Sequence, residues 1–321
     1  MTTLRIGTRG SALAMWQAEW VRDALLRAHP GLEVRLEAIR TAGDREQQTP
    51  LPAAGATGIF TREIEAALLD GAVDVAVHSL KDLPTRLGEG LALSAVPVRE
   101  DPADALVAGA GLTLDTLPQG GEVMTGSPRR RAQVLHRRPD LTISPVRGNV
   151  QTRLRRYDEG GADGIVLARA GLVRLGLDGR IAERLDPADF VPAPGQGALG
   201  VETRADDARA VALCRALDVP ELRLAVTAER ALLAELGGGC QAPVGAYGRF
   251  GGAAGLLTLT GMVARLDGSR LLKRTLAGAV ASEAEARELG RRLAEALRAE
   301  GSQEMLDQAA GGPAPQPGGS A

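Results

Sequence analysis

The chain has 321 residues, 44% hydrophobic and 24% charged, with 38 Lys and Arg against 40 Asp and Glu for a formal net charge of -2. That balance excludes a disordered polyelectrolyte and bulk attraction to nucleic acid, and the length calls for two or three domains of about 100 residues each. Metal catalysis has almost no ligands to draw on, because His29, His78 and His136 are scattered and Cys214 and Cys240 form no Cys-x-x-Cys.

The start, Met1-Thr2-Thr3-Leu4-Arg5-Ile6-Gly7, moves straight into a strand-like run without a charged and apolar leader, and no apolar run approaches the roughly 20 residues of a membrane span. Cytoplasmic residence without membrane attachment is the expectation. Leu4 to Gly7, a helix from about Ser11 to Ala28, Glu33 to Ile39, a helix over Thr61 to Leu69 and a strand over Val73 to Ser79 spell β-α-β-α-β. The apolar positions 60, 64, 67 and 68 recur at helical spacing, and Gly71 supplies a stop.

A second β-α series runs from about Asp104 to Phe190: strands at Glu122 to Thr125, Thr142 to Val146 and Gly164 to Ala168, helices at Arg129 to His136 and Val150 to Glu159. Pro192-Ala193-Pro194-Gly195-Gln196-Gly197 marks a break before a strand at Leu199 to Glu202. Cys214, in an apolar helical run, reads as a small buried hydrophobe. The last third changes to α+β. A helix over Leu222 to Leu236 precedes a glycine-cysteine loop, and strands at Leu256 to Leu266 and Arg270 to Leu276 flank the turn dipeptide Asp267-Gly268. Ser282-Glu283-Ala284-Glu285 is a capping box opening a helix with the stripe Ala286, Leu289, Leu293, Ala296 and Leu297. The tail from Ala309 cannot bury apolar surface and is expected to be disordered.

Three constellations could carry chemistry. His78-Ser79-Leu80-Lys81-Asp82 closes a buried strand, where open α/β sheets hold ligands; a cap with a solvated charge pair and a functional site are both open there. Ser127-Pro128-Arg129-Arg130 and Arg147-Gly148-Asn149 sit where strands hand over to helices, as does Arg9-Gly10-Ser11. At such points guanidinium forks and helix N-termini favour carboxylate or phosphate. Arg131, Arg155 and Arg156 read instead as solvated. With only seven Phe, Trp and Tyr residues to interleave, a small polycarboxylate fits better than nucleic acid. Cys240 in Gly237-Gly238-Gly239-Cys240-Gln241-Ala242-Pro243-Val244-Gly245 follows the negative end of a helix, which raises a thiol pKa. A packed small residue and a functional thiol stay equally open; a cysteine hydrolase would need His78 as its base. A binding protein with an anion-lined cleft and no chemistry is a further reading.

Nine stretches in order, "GTRGSALAMWQ" (7–17), "TAGD" (41–44), "GIFTREIEAALL" (58–69), "DVAVHSLKDLP" (74–84), "REDPADAL" (99–106), "RRPDL" (137–141), "RGNVQTRL" (147–154), "PAPGQGALGVE" (192–202) and "GGGCQAPVG" (237–245), resemble the porphobilinogen deaminase (hydroxymethylbilane synthase) family. The resemblance implies a monomeric transferase. It joins four porphobilinogen molecules head to tail with loss of ammonia and builds the product on a dipyrromethane cofactor held covalently by a cysteine, here Cys240. It implies Asp82 as the catalytic carboxylate. It also places Arg9, Ser11, Lys81, Thr125, Ser127, Arg129, Arg130 and Gln196 at the cofactor, and Arg9, Arg147, Arg153 and Arg174 at substrate carboxylates. The implied fold is two α/β domains like those of periplasmic binding proteins (1–98 with 198–217, and 103–191), an α+β domain (220–308) and the tail (309–321).

The chain departs from that pattern at two places. Ala56-Thr57-Gly58 stands where many members have Gly-Lys-Gly, and Met124-Thr125-Gly126-Ser127-Pro128-Arg129-Arg130 where Gly-Thr-Ser-Ser-x-Arg-Arg is usual. Replacement of the missing positive charge by Arg131 is a corollary expectation.

Overall fold

A computed structural model describes residues 3–40, 61–237, 239, 242–251 and 255–311, the side chains of 310 and 311 excepted. Cys240, the TAGD stretch and Thr57 lie outside the described residues.

The chain first lays down β1 (Leu4–Arg9), α1 (Ala12–Ala28), β2 (Val34–Ile39), α2 (Arg62–Leu69), β3 (Val75–Ser79), a 3-10 turn (Leu80–Asp82) and β4 (Leu91–Ala95). It crosses to β5 (Asp104–Ala108), β6 (Glu122–Met124), α3 (Pro128–Arg137), β7 (Thr142–Ser144), α4 (Val150–Asp158), β8 (Gly164–Ala168), α5 (Arg169–Arg174) and β9 (Glu183–Leu185). It then returns to β10 (Leu199–Arg204) and α6 (Ala208–Arg215). The first sheet has the order β2-β1-β3-β10-β4 and the second β7-β6-β8-β5-β9. In each, three parallel strands are followed by an antiparallel one. The two sheets are therefore built alike, with β6, β7 and β8 repeating β1, β2 and β3. Each antiparallel fourth strand comes from a crossover between lobes, so β10 completes the first sheet only after the second has been made.

The inner strands β1, β3, β5, β8 and β10 form because their apolar runs are buried on both faces, as sheets covered by helices require. Leu4, Ile6, Val75, Val77, Leu199 and Val201 share one core with Ala18, Val21 and Leu25 of α1. Cys214 belongs to that core, and burial pushes its thiol up to about 12. The helices start at their side-chain caps: Ser11 accepts from Ala14 N, Ser127 from Arg130 N and Asn149 from Thr152 N.

A third sheet of β11 (Val244–Phe250), β12 (Leu256–Ala264) and β13 (Leu271–Ala279) is antiparallel in that order. It packs on α7 (Pro220–Glu235), α8 (Glu283–Ala299) and α9 (Ser302–Gly311) through Leu232, Leu257, Leu259, Leu289, Leu293 and Leu306. The α/β architecture with a C-terminal α+β unit is the fold class the sequence implied. Ser282 and Glu285 close the capping box. The buried stripe of α8 uses Ala294 where the sequence pointed to Ala296. Asp267-Gly268 is not itself a two-residue turn: Arg265 N donates to Arg270 O, so both residues lie inside a longer loop, with Gly268 at φ 74°. Helix α9 runs to Gly311, so a tail boundary at 309 falls within a helix. Among the described residues no helix is long and apolar enough to cross a membrane.

Candidate active site

The carboxyl ends of β1 and β3 and those of β6, β7 and β8 carry the polar residues, which is where open α/β sheets bind ligands. In the first lobe Arg9, Ser11, Gln17, His78, Ser79 and Asp82 line one small cavity. Gln17 Nε2 donates to Ser79 Oγ at 2.8 Å, tying α1 to the end of β3. Ser11 Oγ accepts the capping N–H, which leaves its own proton to donate into the cavity. The turn bearing Lys81 and Asp82 fits its neighbours because Gly195, at φ 73°, lies against Leu80 and Lys81; a Cβ there would meet Leu80 Cγ at 3.2 Å and Lys81 N at 3.3 Å.

Gln196 joins the lobes. Its side chain is fully buried, and its Nε2 donates to Pro102 O (2.7 Å) and Asp104 Oδ1 (2.9 Å). Its Oε1 accepts from Lys81 Nζ and from Arg130 Nη2, each at 3.4 Å. Asp104 is the functional residue the sequence did not single out. Arg129 Nη1 lies 2.7 Å from its Oδ2, and Arg130 Nε donates to its Oδ1 at 2.8 Å. Despite burial, the two guanidiniums hold the Asp104 carboxyl far below the ordinary carboxylate range. The signal was present in REDPADAL, but nothing in a linear sequence pairs that Asp with arginines in another helix.

Two of the expected arginines are buried and have protein partners. Arg129 is 2% exposed and donates to Val191 O at 2.7 Å, which anchors it inside the second lobe. Arg174 is buried too: its Nη2 donates to Gly197 O at 2.7 Å and its guanidinium stacks over Trp16 of α1, 5.4 Å from the ring centre. It braces α5 against the first lobe. Arg131 does not supply a cleft charge, because its Nε donates to Leu266 O in the β12–β13 loop. The departures in the 124–130 run have structural reasons. A Cβ at Gly126 would meet Val146 O at 2.5 Å, and Pro128 occupies the first turn of α3, where its missing N–H costs nothing. Thr125 is buried and its Oγ1 accepts from Ser127 N at 3.2 Å, which shapes the entrance to the helix.

The remaining cations converge. Burial, together with Arg130, pushes Lys81 down to about 8, against the opposing pull of Asp82 and Asp104. Burial and Arg130 push Arg153 down to about 10, with Asp82 opposing and Arg147 adding to the shift. Arg153 is oriented by Gly148 O, to which its Nε donates at 2.8 Å. Asp82 from one lobe and Arg130, Arg147 and Arg153 from the other thus share one field. Below Lys81 a second cavity of about 330 Å³ is lined by Leu83, Arg86, Pro194, Arg230 and the described glycines 237 and 239 of the cysteine loop. Among the described residues no His, Cys, Asp and Glu cluster could hold a metal.

Two α/β lobes that bring Arg130, Arg147 and Arg153 towards Lys81 and Asp82 form a cleft suited to an anionic ligand. Family models for "Porphobilinogen deaminase, dipyromethane cofactor binding domain" and "Porphobilinogen deaminase, C-terminal domain" match residues 4–212 and 223–299. The chain belongs to the porphobilinogen deaminase family. A protein of Syntrophotalea carbinolica with that name is 52% identical over 280 residues, 87% of this chain and 88% of its own. One from Synechococcus sp. (strain RCC307) is 49% identical over 308 residues, 95% and 96% of the two chains. Among solved structures, a putative methionine-binding lipoprotein of Bacillus subtilis aligns over 68% of this chain and 92% of its own, at TM-score 0.42 and 13% identity. That likeness is too distant to speak to a ligand. The activity is hydroxymethylbilane synthesis from porphobilinogen in tetrapyrrole biosynthesis, with dipyrromethane as cofactor.

Proposed function

We propose that Asp82 is the catalytic carboxylate and that Arg9, Lys81, Arg130, Arg147 and Arg153 hold the acetate and propionate groups of cofactor and substrate. The observation that carries this reading is the convergence of cations from both lobes around Asp82. Lys81 and Arg153 are pushed down by burial and by neighbouring cations, so the cleft favours an anion that relieves the repulsion. A dipyrromethane, with carboxylates on both rings, meets that need. When bound, it supplies the nucleophilic ring carbon on which the chain grows.

Asp82 then has two tasks. Its charge stabilises the cation that develops as the C–N bond of porphobilinogen breaks and the electron pair leaves with ammonia. It next takes the proton that the attacked ring carbon loses once the new C–C bond forms. Ser11, Thr125 and Ser127 add hydroxyl groups at the helix starts around the cleft, Gln196 keeps Lys81 and Arg130 in register, and Arg129 and Arg174 keep the lobes in shape. Cys240 is the cofactor's anchor by a thioether; a thiol that reacts once with a strong electrophile needs no lowered pKa. The glycines 237 and 239, which open on the cavity beside Lys81, support that placement.

A division into 1–98 with 198–217, 103–191 and 220–308 is supported by there being three separate sheets. A cytoplasmic monomer without nucleic-acid partners agrees with the charge balance and with Leu26, Leu69 and Val219 as the exposed large hydrophobics among the described residues.

Intact mass and kinetics test the reading together. The purified chain is expected to exceed its sequence mass by two pyrrole units and Cys240→Ser to lack them, while Asp82→Asn keeps the adduct and loses about 10²–10⁴ in kcat. A Cys240→Ser chain that still carries the adduct, or an Asp82→Asn enzyme within twofold of wild type, would sink it.

A further inference from the structure

His78 and Glu202 form a buried titratable pair to which neither the carboxylate-binding cleft nor the apolar core gives a task. Glu202 lies opposite Ala76 and Gly200 opposite His78 in the β3–β10 ladder, so the two side chains meet diagonally on one face of the first sheet. His78 Nε2 is 3.2 Å from Glu202 Oε2, and their side chains are 4% and 0% exposed. Neither Glu202 oxygen has a hydrogen-bond partner among the described residues, nor has His78 Nε2 or the buried Thr61 Oγ1 at the head of α2.

A carboxylate so placed is expensive if it stands alone, and so is an imidazolium. Together they are neutral overall when they hold one proton between them, whichever atom carries it. The far side of this pair opens on the chemistry, because His78 lines the same cavity as Asp82, Arg9 and Ser11. Core packing would be served better by apolar residues at both positions. A shared proton at the floor of the reaction cavity is what the polar pair provides instead.

We propose that His78 and Glu202 are a proton-holding pair for the reaction, His78 as the donor into the cavity and Glu202 as the positioning residue that orients it. This rests on Asp82 being the carboxylate at the reacting ring. In each addition the C–N bond of porphobilinogen breaks with its electron pair on nitrogen, a C–C bond forms, and the attacked ring carbon loses a proton. The aminomethyl nitrogen, bound as the free amine, takes the proton of the pair and leaves as neutral ammonia. The buried pair, now negative by one charge, recovers its proton from Asp82, which has just accepted one from the ring carbon. Net transfer is from carbon to ammonia, and both carboxylates end each cycle as they began.

The test uses the cofactor-loaded enzyme and Glu202→Gln, which keeps the shape and removes the charge. Expected are a fall in kcat of about a hundredfold, KM within twofold, and an unchanged adduct mass. His78→Gln, made in parallel, gives a similar loss and identifies the His78 ring among the three histidines in nitrogen-15 spectra. In wild type a ring N–H of His78 held towards Glu202 exchanges slowly with solvent, and in Glu202→Gln it exchanges fast. The proposal is overturned if Glu202→Gln turns over like wild type, if its loss tracks a lost adduct, or if the His78 ring N–H exchanges equally fast in both. Asp82→Asn separates the two ideas. An inactive Asp82→Asn beside an active Glu202→Gln removes the pair alone, whereas an active Asp82→Asn removes the reading beneath it.

Discussion

Asp104 sits among the arginines of a site that binds polycarboxylates, and the physics of burial explains why. Arg129 and Arg130 are both buried, and two unpaired guanidiniums in that position would cost several kcal/mol. One carboxylate between them leaves a single net positive charge, which faces Gln196 and Lys81 through Arg130. Breaking such a pair from one side is worse than never having built it. Asp104→Asn is therefore expected to lose about 3–5 kcal/mol at neutral pH, measured by urea unfolding. The folded-state pKa of Asp104 is depressed below its unfolded value, so its contribution is full above roughly pH 4 and fades as pH falls from there towards the folded value. The gap between wild type and Asp104→Asn should narrow below about pH 4; a gap that stays constant into acid would show that the carboxylate's charge is not what stabilises. Residue types and their places at strand ends were legible in the sequence for Arg9, Ser11, Lys81 and Asp82. What the sequence did not show for Arg129 and Arg174 is their protein partners, because the donation to Val191 O and Gly197 O depends on tertiary packing.

At the scale of elements, periodicity located the long helices and the strands followed by helices. It missed β4, β5, β9 and β11, α9, and α5, whose six residues are too few to show a period. The helix α7 matters most to the site because it ends at the cysteine loop, and α8 holds it in place. Their contact is close at Gly290, where a Cβ would meet Ala228 O at 2.5 Å, Ala231 Cβ at 2.8 Å and Leu232 N at 2.9 Å. Helix propensity alone would make Gly290→Ala stabilising by about 1 kcal/mol. Backbone atoms of α7 cannot yield as a flexible side chain would, so overpacking wins and a net loss of about 1–3 kcal/mol is expected in urea unfolding. A stabilised Gly290→Ala would mean that the two helices can separate without cost.

At the scale of the molecule, the β-α pattern revealed separate units but not how they are laced together, and the return of 198–217 to the first came only from the family resemblance. Two β-α series predict two sheets; they do not reveal that β10 and β5 trade places, since strand order is set by long-range pairing and not by any local pattern. The crossovers this creates pass side by side at the Arg99–Ala198 bridge, and there Glu229 of α7 ties the third unit to them. Glu229 is fully buried and accepts four hydrogen bonds: from Arg99 Nη1 (2.6 Å) and Nη2 (3.2 Å), Gly195 N (2.7 Å) and Gly248 N of β11 (2.7 Å). Arg99 in turn donates to Gln196 O at 3.0 Å and stacks over Tyr247 at 5.3 Å. A single carboxylate thus joins both crossovers, the cysteine-bearing unit and the residue that positions Lys81. Glu229→Gln keeps the size but turns one acceptor into a donor facing Arg99 or a backbone N–H, leaving the partly buried Arg99 guanidinium without its countercharge at an expected cost of about 3–5 kcal/mol. The two tryptophans, Trp16 and Trp20, both lie in α1, so their fluorescence reports the first lobe and its Arg174 contact with the second, while far-ultraviolet circular dichroism reports every helix. In wild type the two signals should lose structure at one urea concentration. In Glu229→Gln the dichroism should begin to fall first, as the third unit unfolds without the first lobe, and transitions that remained coincident would show that the units are coupled through other contacts.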